Sequence, residues 1–240
     1  MVVLSEKPVA VGDKVEVRYS AERWRLLREL RKKAISIMEI LSECSISAIV
    51  HGSLARGDVK ESSDVDIFVP YVVSSFLVEH ALRKIKADFF SREIIQATPQ
   101  YAVKAYIYLE DNISVSFPLV SLSRLETEFY YFGGALSLED LKREKRVPGV
   151  DKRLMLIEPT KYGHIESPVI GNEAITAKIL GVSVDIVNQR VRVLMKRDKI
   201  GRTGVYLKRK LKENESFEHV LKRIADKDSI VRNRMQNRRR

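Results

Sequence analysis

Apolar residues recur at three- and four-residue spacing from Ala21 to Cys44, with Trp24, Leu27, Leu30, Ala34, Ile37 and Leu41 on one stripe. That period predicts a long amphipathic helix. The pattern then changes. Ile46-Ser47-Ala48-Ile49-Val50 alternates and turns continuously apolar, as a short strand does. A second strand is predicted around Val65 to Val69, then a helix over Ser74–Lys86 and a strand over Glu93–Thr98. Tyr101–Leu109 and Ile113–Val120 alternate on either side of Glu110 and Asp111 and predict a hairpin, closed by a helix over Ser123–Tyr131. Ahead of all this, Val9 to Tyr19 reads as a small hairpin around Gly12-Asp13.

The second half follows other rules. Leu136 to Ser167 is dense in charge and carries Pro148 and Pro159, with Pro168 next. It reads as a connector whose Arg143–Arg146 cluster is a solvated face. Asn172 then suits the cap of a helix through Leu180 that stops at Gly181. Ser183 suits the cap of a second helix, with Val184, Val187, Val191 and Leu194 as its apolar stripe. Two helices joined by a short turn fit a helix-turn-helix, and Lys199 to Tyr206 reads as a tight hairpin, so the unit resembles a winged helix. Asn188, Gln189, Arg190 and Arg192 lie off the stripe and, with Arg202 in the hairpin, are candidates for contact with bases and phosphates. The competing reading packs the helix pair on the preceding domain and leaves its charges in water. The expected organisation is therefore 1–135 with the strands and long helix, a connector at 136–167, a winged-helix-like unit at 168–212, and a basic helix and disordered tail at 213–240.

Charge sharpens this division. The 240 residues hold 43 Lys and Arg against 32 Asp and Glu, a net +11. Arg190 to Arg240 alone contributes 18 basic and 6 acidic residues, so everything before it is close to neutral. Such asymmetry is the footprint of a polyanionic partner, DNA or RNA. No apolar run reaches the length of a membrane span, and Met1 to Glu6 lacks the basic flank of a signal peptide. One cysteine, Cys44, allows no internal disulfide and suits a reducing, cytoplasmic compartment. The Lys, Arg, Glu and Ile content matches that of thermophile proteins. The four histidines show no metal-ligand spacing.

The chemistry concentrates between His51 and Val69. Gly52 permits a sharp backbone turn and close approach of a ligand. Ser53 offers a hydroxyl and an N–H, a turn through Leu54 and Ala55 aims further N–H groups the same way, and Arg56 adds a fork suited to phosphate. After a polar loop come Asp64 and Asp66, which project from one face of a strand roughly 6–7 Å apart at their backbones. Hard oxygen donors with no Cys or His partner favour Mg²⁺ or Mn²⁺.

Gly52-Ser53, about ten further residues and then Asp64-Val65-Asp66-Ile67 resemble the signature of the DNA polymerase β-like nucleotidyltransferase superfamily, and Ala55-Arg56-Gly57 resembles its minimal members. The resemblance implies an α+β domain, a mixed sheet with helices on one side. It further implies that Gly52 and Ser53 hold the triphosphate of a nucleoside triphosphate, that Arg56 assists at a phosphate, and that Asp64 and Asp66 bind the metal. The superfamily's third acid is expected on the strand Asn112–Leu119, where this chain has Ser114 or Ser116. Glu110 and Asp111 are the nearest acids, at the expected hairpin turn. Two functions follow as expectations: Mg-dependent transfer of a nucleotidyl group to an unknown acceptor, possibly nucleic acid, or a non-catalytic nucleotide sensor or nucleic-acid-binding regulator.

Overall fold

The computed structural model describes residues 14–85, 88–201 and 204–236. Strand β1 (Val15–Arg18) leads into the 23-residue helix α1 (Ala21–Glu43), so the apolar stripe forms one helix as expected. Next come β2 (Ile49–His51), a four-residue helix α2 (Ser53–Arg56), β3 (Val65–Phe68) and α3 (Ser75–Arg83). Strand β4 (Ser91–Gln96) precedes the predicted hairpin of β5 (Lys104–Glu110) and β6 (Ile113–Pro118), then α4 (Arg124–Phe132). The following stretch holds β7 (Ala135–Ser137), α5 (Leu138–Lys142), β8 (Gly149–Val150), β9 (Met155–Thr160) and β10 (Gly163–Pro168). Helices α6 (Glu173–Leu180) and α7 (Val184–Ile200), strand β11 (Leu207–Lys210) and helices α8 (Phe217–Lys227) and α9 (Ser229–Gln236) complete the described residues.

Two compact units share these elements, each drawn from three stretches of chain. One takes residues up to Arg31, His51–Ser63 and from Thr127 to the turn after α7; the other takes Lys32–Val50, Asp64–Glu126 and Gly204 onward.

In the second unit the strands run β11-β4-β5-β6-β3-β2. Among these described strands β3 and β6 pair in parallel, and the other neighbours pair antiparallel. Val65, Ile67, Ile94, Ile107, Val115 and Phe117 are buried. The ring of Phe117 meets Phe217 of α8 edge-on at 5.7 Å. Helix α8 earns its place through Phe217, Val220, Leu221 and Ala225, all buried at helical spacing, and through Ser216, whose hydroxyl caps the His219 N–H.

The first unit contains an antiparallel sheet in the order β1-β10-β9-β8. Residues 136–167, expected as a charged connector, therefore hold a folded meander. Pro159 is tolerated because β8 starts at Gly149, opposite Ile157, so Pro159 lies two residues beyond that ladder and its missing N–H costs nothing there. Arg146, expected in water, donates to Gly163 O at 2.7 Å and to Thr160 O, with its guanidinium 4.7 Å from the Trp24 ring centre. Of the hairpin expected over Val9 to Tyr19, the first half lies outside the described residues, and Val15–Arg18 pairs with β10.

Two helices, α6 and α7, stand where a helix pair was expected. Gly181 ends α6 in the left-handed region (φ 64°), and the Ser183 hydroxyl accepts the Ile186 N–H. Asn172 stands at the start of α6, but its amide donates to Pro168 O at 3.2 Å and makes no cap. No wing follows. Helix α7 runs on through Lys199 and Ile200, and β11 adds itself to β4, pairing Lys208 with Ile95 and Lys210 with Glu93. The tail is also more ordered than expected: α9 reaches Gln236, tied by Arg232 to Ala225 O (2.9 Å) and by Arg234 to Glu126 (2.8 Å), while residues 237–240 lie outside the described ones.

Candidate active site

The turn after β2 is built for glycine. Gly52 has φ 73° and ψ −141°, a conformation closed to ordinary side chains, although a Cβ there would meet nothing within 4 Å. Its N–H donates to Gly134 O at 2.9 Å, and its carbonyl accepts from Ala55 and Arg56 to close the single turn of α2. The Ser53 hydroxyl donates to Ser63 Oγ at 3.3 Å, and Ser63 Oγ accepts the Lys60 N–H, so the loop from 53 to 63 is pinned at both ends.

Two arginines support this turn from behind. Arg31, buried on α1, donates twice to Leu54 O (2.7 and 3.0 Å), once to Ala55 O and once to Lys145 O. Burial, then the nearby charge of Arg146, lowers its pKa to about 10. The residue was legible as an anomaly, a charge among Leu27, Leu30 and Ala34 on the buried stripe.

Arg56, expected at a phosphate, is engaged within the protein. It is 5% exposed and donates to Gly133 O (2.6 Å), Val150 O (3.4 Å) and Asp58 (3.0 Å). In this structure its fork is occupied as an internal brace. Arg56→Met is expected to lose about 3 kcal/mol, the scale of removing one partner from a buried ion pair, as read by denaturant unfolding. Unchanged stability with weakened nucleotide binding would return Arg56 to the phosphate.

The acid pair lies in the second unit. Asp64 immediately precedes β3, and Asp66 lies within it between the buried Val65 and Ile67. The parallel register sets Asp66 beside Ser114 and Phe68 beside Ser116. Ser114 is 6% exposed, and its hydroxyl donates to Asp66 Oδ1 at 2.8 Å. Hence the strand position where a third acid was expected is occupied by a hydroxyl that satisfies one Asp66 oxygen. Glu110 stands at the hairpin end, 3.8 Å from Lys33 Nζ, and Asp111 is in the turn. Residues 27–120, which include the Gly52 turn, both acids and Ser114, match the family described as the nucleotidyltransferase domain.

This stretch is thus similar to a nucleotidyltransferase domain. Its match covers less than half of the chain and stops before α4. Neither curated proteins nor solved structures gave a match.

The sheet of the second unit carries groups that the sequence pattern alone does not single out. Register continues from Asp66 and Ser114 to Tyr108, and from Ser116 to Tyr106 and Glu93. The two phenol rings lie nearly parallel, 17° apart with centres at 6.2 Å. Burial, then Tyr108 and Asp66, pushes the Tyr106 pKa up to about 12; burial, then Glu93 and Asp66, raises that of Tyr108. Both phenols thus stay neutral near Asp66. Lys104, on the same strand face, has its pKa lowered by burial, with Glu126 opposing the shift. The signal was the alternation Lys104-Ala105-Tyr106-Ile107-Tyr108, in which the polar-tipped residues fall on the non-core side.

Does the donor set fit the expected metal? Among the described residues no group of three or more His, Cys, Asp or Glu is placed to hold a cation. Mg²⁺ in phosphate chemistry is commonly held by one or two carboxylates, with water and substrate phosphate completing the shell. Asp64 and Asp66 suit that arrangement and not an all-protein cage.

The residues expected to meet nucleic acid outside this stretch are scattered in accessibility. Arg192 is exposed, and Asn188 and Gln189 are half-buried. Arg190 lies over the Phe129 ring at 4.9 Å. The buried residues of α7 are Ile186, Val187 and Val191, whereas Val184 of the expected stripe is 41% exposed. Arg202 lies outside the described residues. No described helix is long and apolar enough to cross a membrane.

Proposed function

We propose that the chain binds a nucleoside triphosphate with Mg²⁺ and transfers its nucleotidyl group to a hydroxyl of an acceptor. The observation that carries this reading is Asp66 on the polar face of the second unit's sheet, preceded by Asp64 and by a glycine-only turn. In the reaction, the acceptor oxygen bonds to the α-phosphorus, the bond from that phosphorus to the β-phosphate oxygen breaks, and pyrophosphate leaves. The acceptor proton passes to solvent. Gly52 and Ser53 offer the phosphates backbone approach and a hydroxyl. Asp64 and Asp66 hold the cation, which when bound offsets the charge that develops on the phosphate oxygens. Ser114 keeps the Asp66 carboxylate oriented through its hydrogen bond. A nucleic-acid acceptor is supported by the basic final fifth of the sequence.

A second reading, a nucleotide-sensing regulator without turnover, is favoured by the hydroxyl of Ser114 where an acid was expected. One assay separates them. Radiolabelled nucleoside triphosphate, Mg²⁺ and pooled RNA or DNA give label transfer if the chain is an enzyme, and binding without transfer if it is a sensor. Under both readings the double variant Asp64→Asn, Asp66→Asn weakens Mg-dependent nucleotide binding at least tenfold, about 1.4 kcal/mol, by calorimetry. Unchanged binding refutes the assignment of the acids.

A further inference from the structure

The polar face of the second unit's sheet continues well past the acids, and its register is informative. One row runs Asp66, Ser114, Tyr108, Ser91 across β3, β6, β5 and β4. The adjacent row runs Phe68, Ser116, Tyr106, Glu93 and ends on Lys210 of β11; the next brings Lys104, Ile95 and Lys208 together. Side chains of paired residues share a face, so this face passes from carboxylates through hydroxyls and aromatic rings to lysines, with Phe68, Ser114, Ser116 and Glu93 buried at its base and Tyr106, Tyr108 and Lys104 half-buried over them. Four interstrand steps of about 4.8 Å make it roughly 19 Å wide. At its outer end Lys208 and Lys210 are exposed, Lys208 retaining 57% of its side-chain surface while resting 3.1 Å from Glu93.

We infer that this face is a track for the acceptor, and that the acceptor is a single-stranded nucleic acid. Such a track rests on the proposed transfer reaction and adds the substrate class to it. A free 3′ or other terminal hydroxyl at the Asp66 end places the preceding bases over the Tyr106–Tyr108 pair and the phosphates at Lys208 and Lys210. A width of roughly 19 Å accommodates about five nucleotides at ~3.4 Å per stacked step. Base-on-tyrosine stacking tolerates any sequence, and lysines meet phosphates without reading bases. A duplex has no unstacked base to offer the tyrosines, and an acidic peptide has no rings to lay on them. Charge also argues for the occupant: β11 and the residue pair that follows it, Leu207 to Lys212, carry four basic residues and no acid.

The test is fluorescence anisotropy of the whole chain with labelled 12-nucleotide single strands, as RNA and as DNA, against an equal-length duplex and poly-glutamate. Single strands bind at least tenfold tighter than duplex or poly-glutamate. Tyr108→Ala weakens the single strand about tenfold, within the range of one lost base stack, and Tyr108→Phe restores it. Lys208→Met with Lys210→Met lowers the magnitude of the salt slope by about 1.4, with folding of each variant checked by thermal melting. Duplex or poly-glutamate binding equally well, or loss that follows Arg192 and Arg197 and spares Tyr108 and the two lysines, overturns the inference. Calorimetry with Mg²⁺ and nucleoside triphosphate is run on the same wild-type sample. Nucleotide binding without strand binding defeats the track alone, and absence of nucleotide binding defeats the reaction beneath it.

Discussion

Ser114→Asp is expected to raise Mg-dependent nucleotidyl transfer about a hundredfold, roughly 2.7 kcal/mol of added charge stabilisation. The substitution puts a second carboxylate where a hydroxyl now donates to Asp66 at 2.8 Å. Asp66 pairs with residue 114 across the sheet, so the new oxygens enter the acid pair's neighbourhood with no change of backbone. The same closeness carries a cost without metal. Two carboxylates side by side at a 6% exposed position repel. The variant therefore melts several degrees lower in chelator, and Mg²⁺ restores the loss by binding the folded state alone. Transfer is read by label incorporation and metal affinity by calorimetry. If neither rises while the variant remains folded, Ser114 is not what limits the site.

Gly163→Ala is expected to cost about 3 kcal/mol or more, at the upper end of overpacking penalties. An added Cβ would lie 1.9 Å from Val17 O and 3.0 Å from the Arg18 Cα. Those atoms are backbone of the paired strand, since Gly163 faces Arg18 in the β1–β10 ladder, and no rotamer relieves the clash. For a chain of this size, that loss lowers the melting temperature by roughly 6–12 °C. Ser167→Ala, in the same strand, is the control. A melting temperature within 2 °C of wild type for Gly163→Ala would mean that β1 does not hold this ladder.

Some of this was legible in the residues and some was not, for definable reasons. The stripe of α1 and the alternation of β5 and β6 report burial directly, and both were read correctly. The resemblance to the superfamily pointed to Ser114 or Ser116, and only the register sets Ser114 beside Asp66. What failed were inferences in which a distant partner decides the outcome. Lys208-Arg209-Lys210 fell within the unit expected over 168–212, yet its pairing partner is β4. Arg56 was read from its neighbours in sequence, which say nothing of the Gly133 and Val150 carbonyls that accept from its guanidinium. Charge and proline hid β9 and β10. Tyr106 and Tyr108 were visible as strand residues, but only register brings them into line with Asp66.

The pairing of β11 with β4 sets a timetable for biosynthesis. Over a hundred residues separate the two strands. At about 5–20 residues per second, the flank of β4 waits on the order of 5–20 s for its cover. An uncovered strand edge invites intermolecular pairing, and inward charges discourage it. Arg92 and Glu93, both buried in the finished sheet, sit on that flank and guard the nascent chain until its own lysine-rich strand arrives.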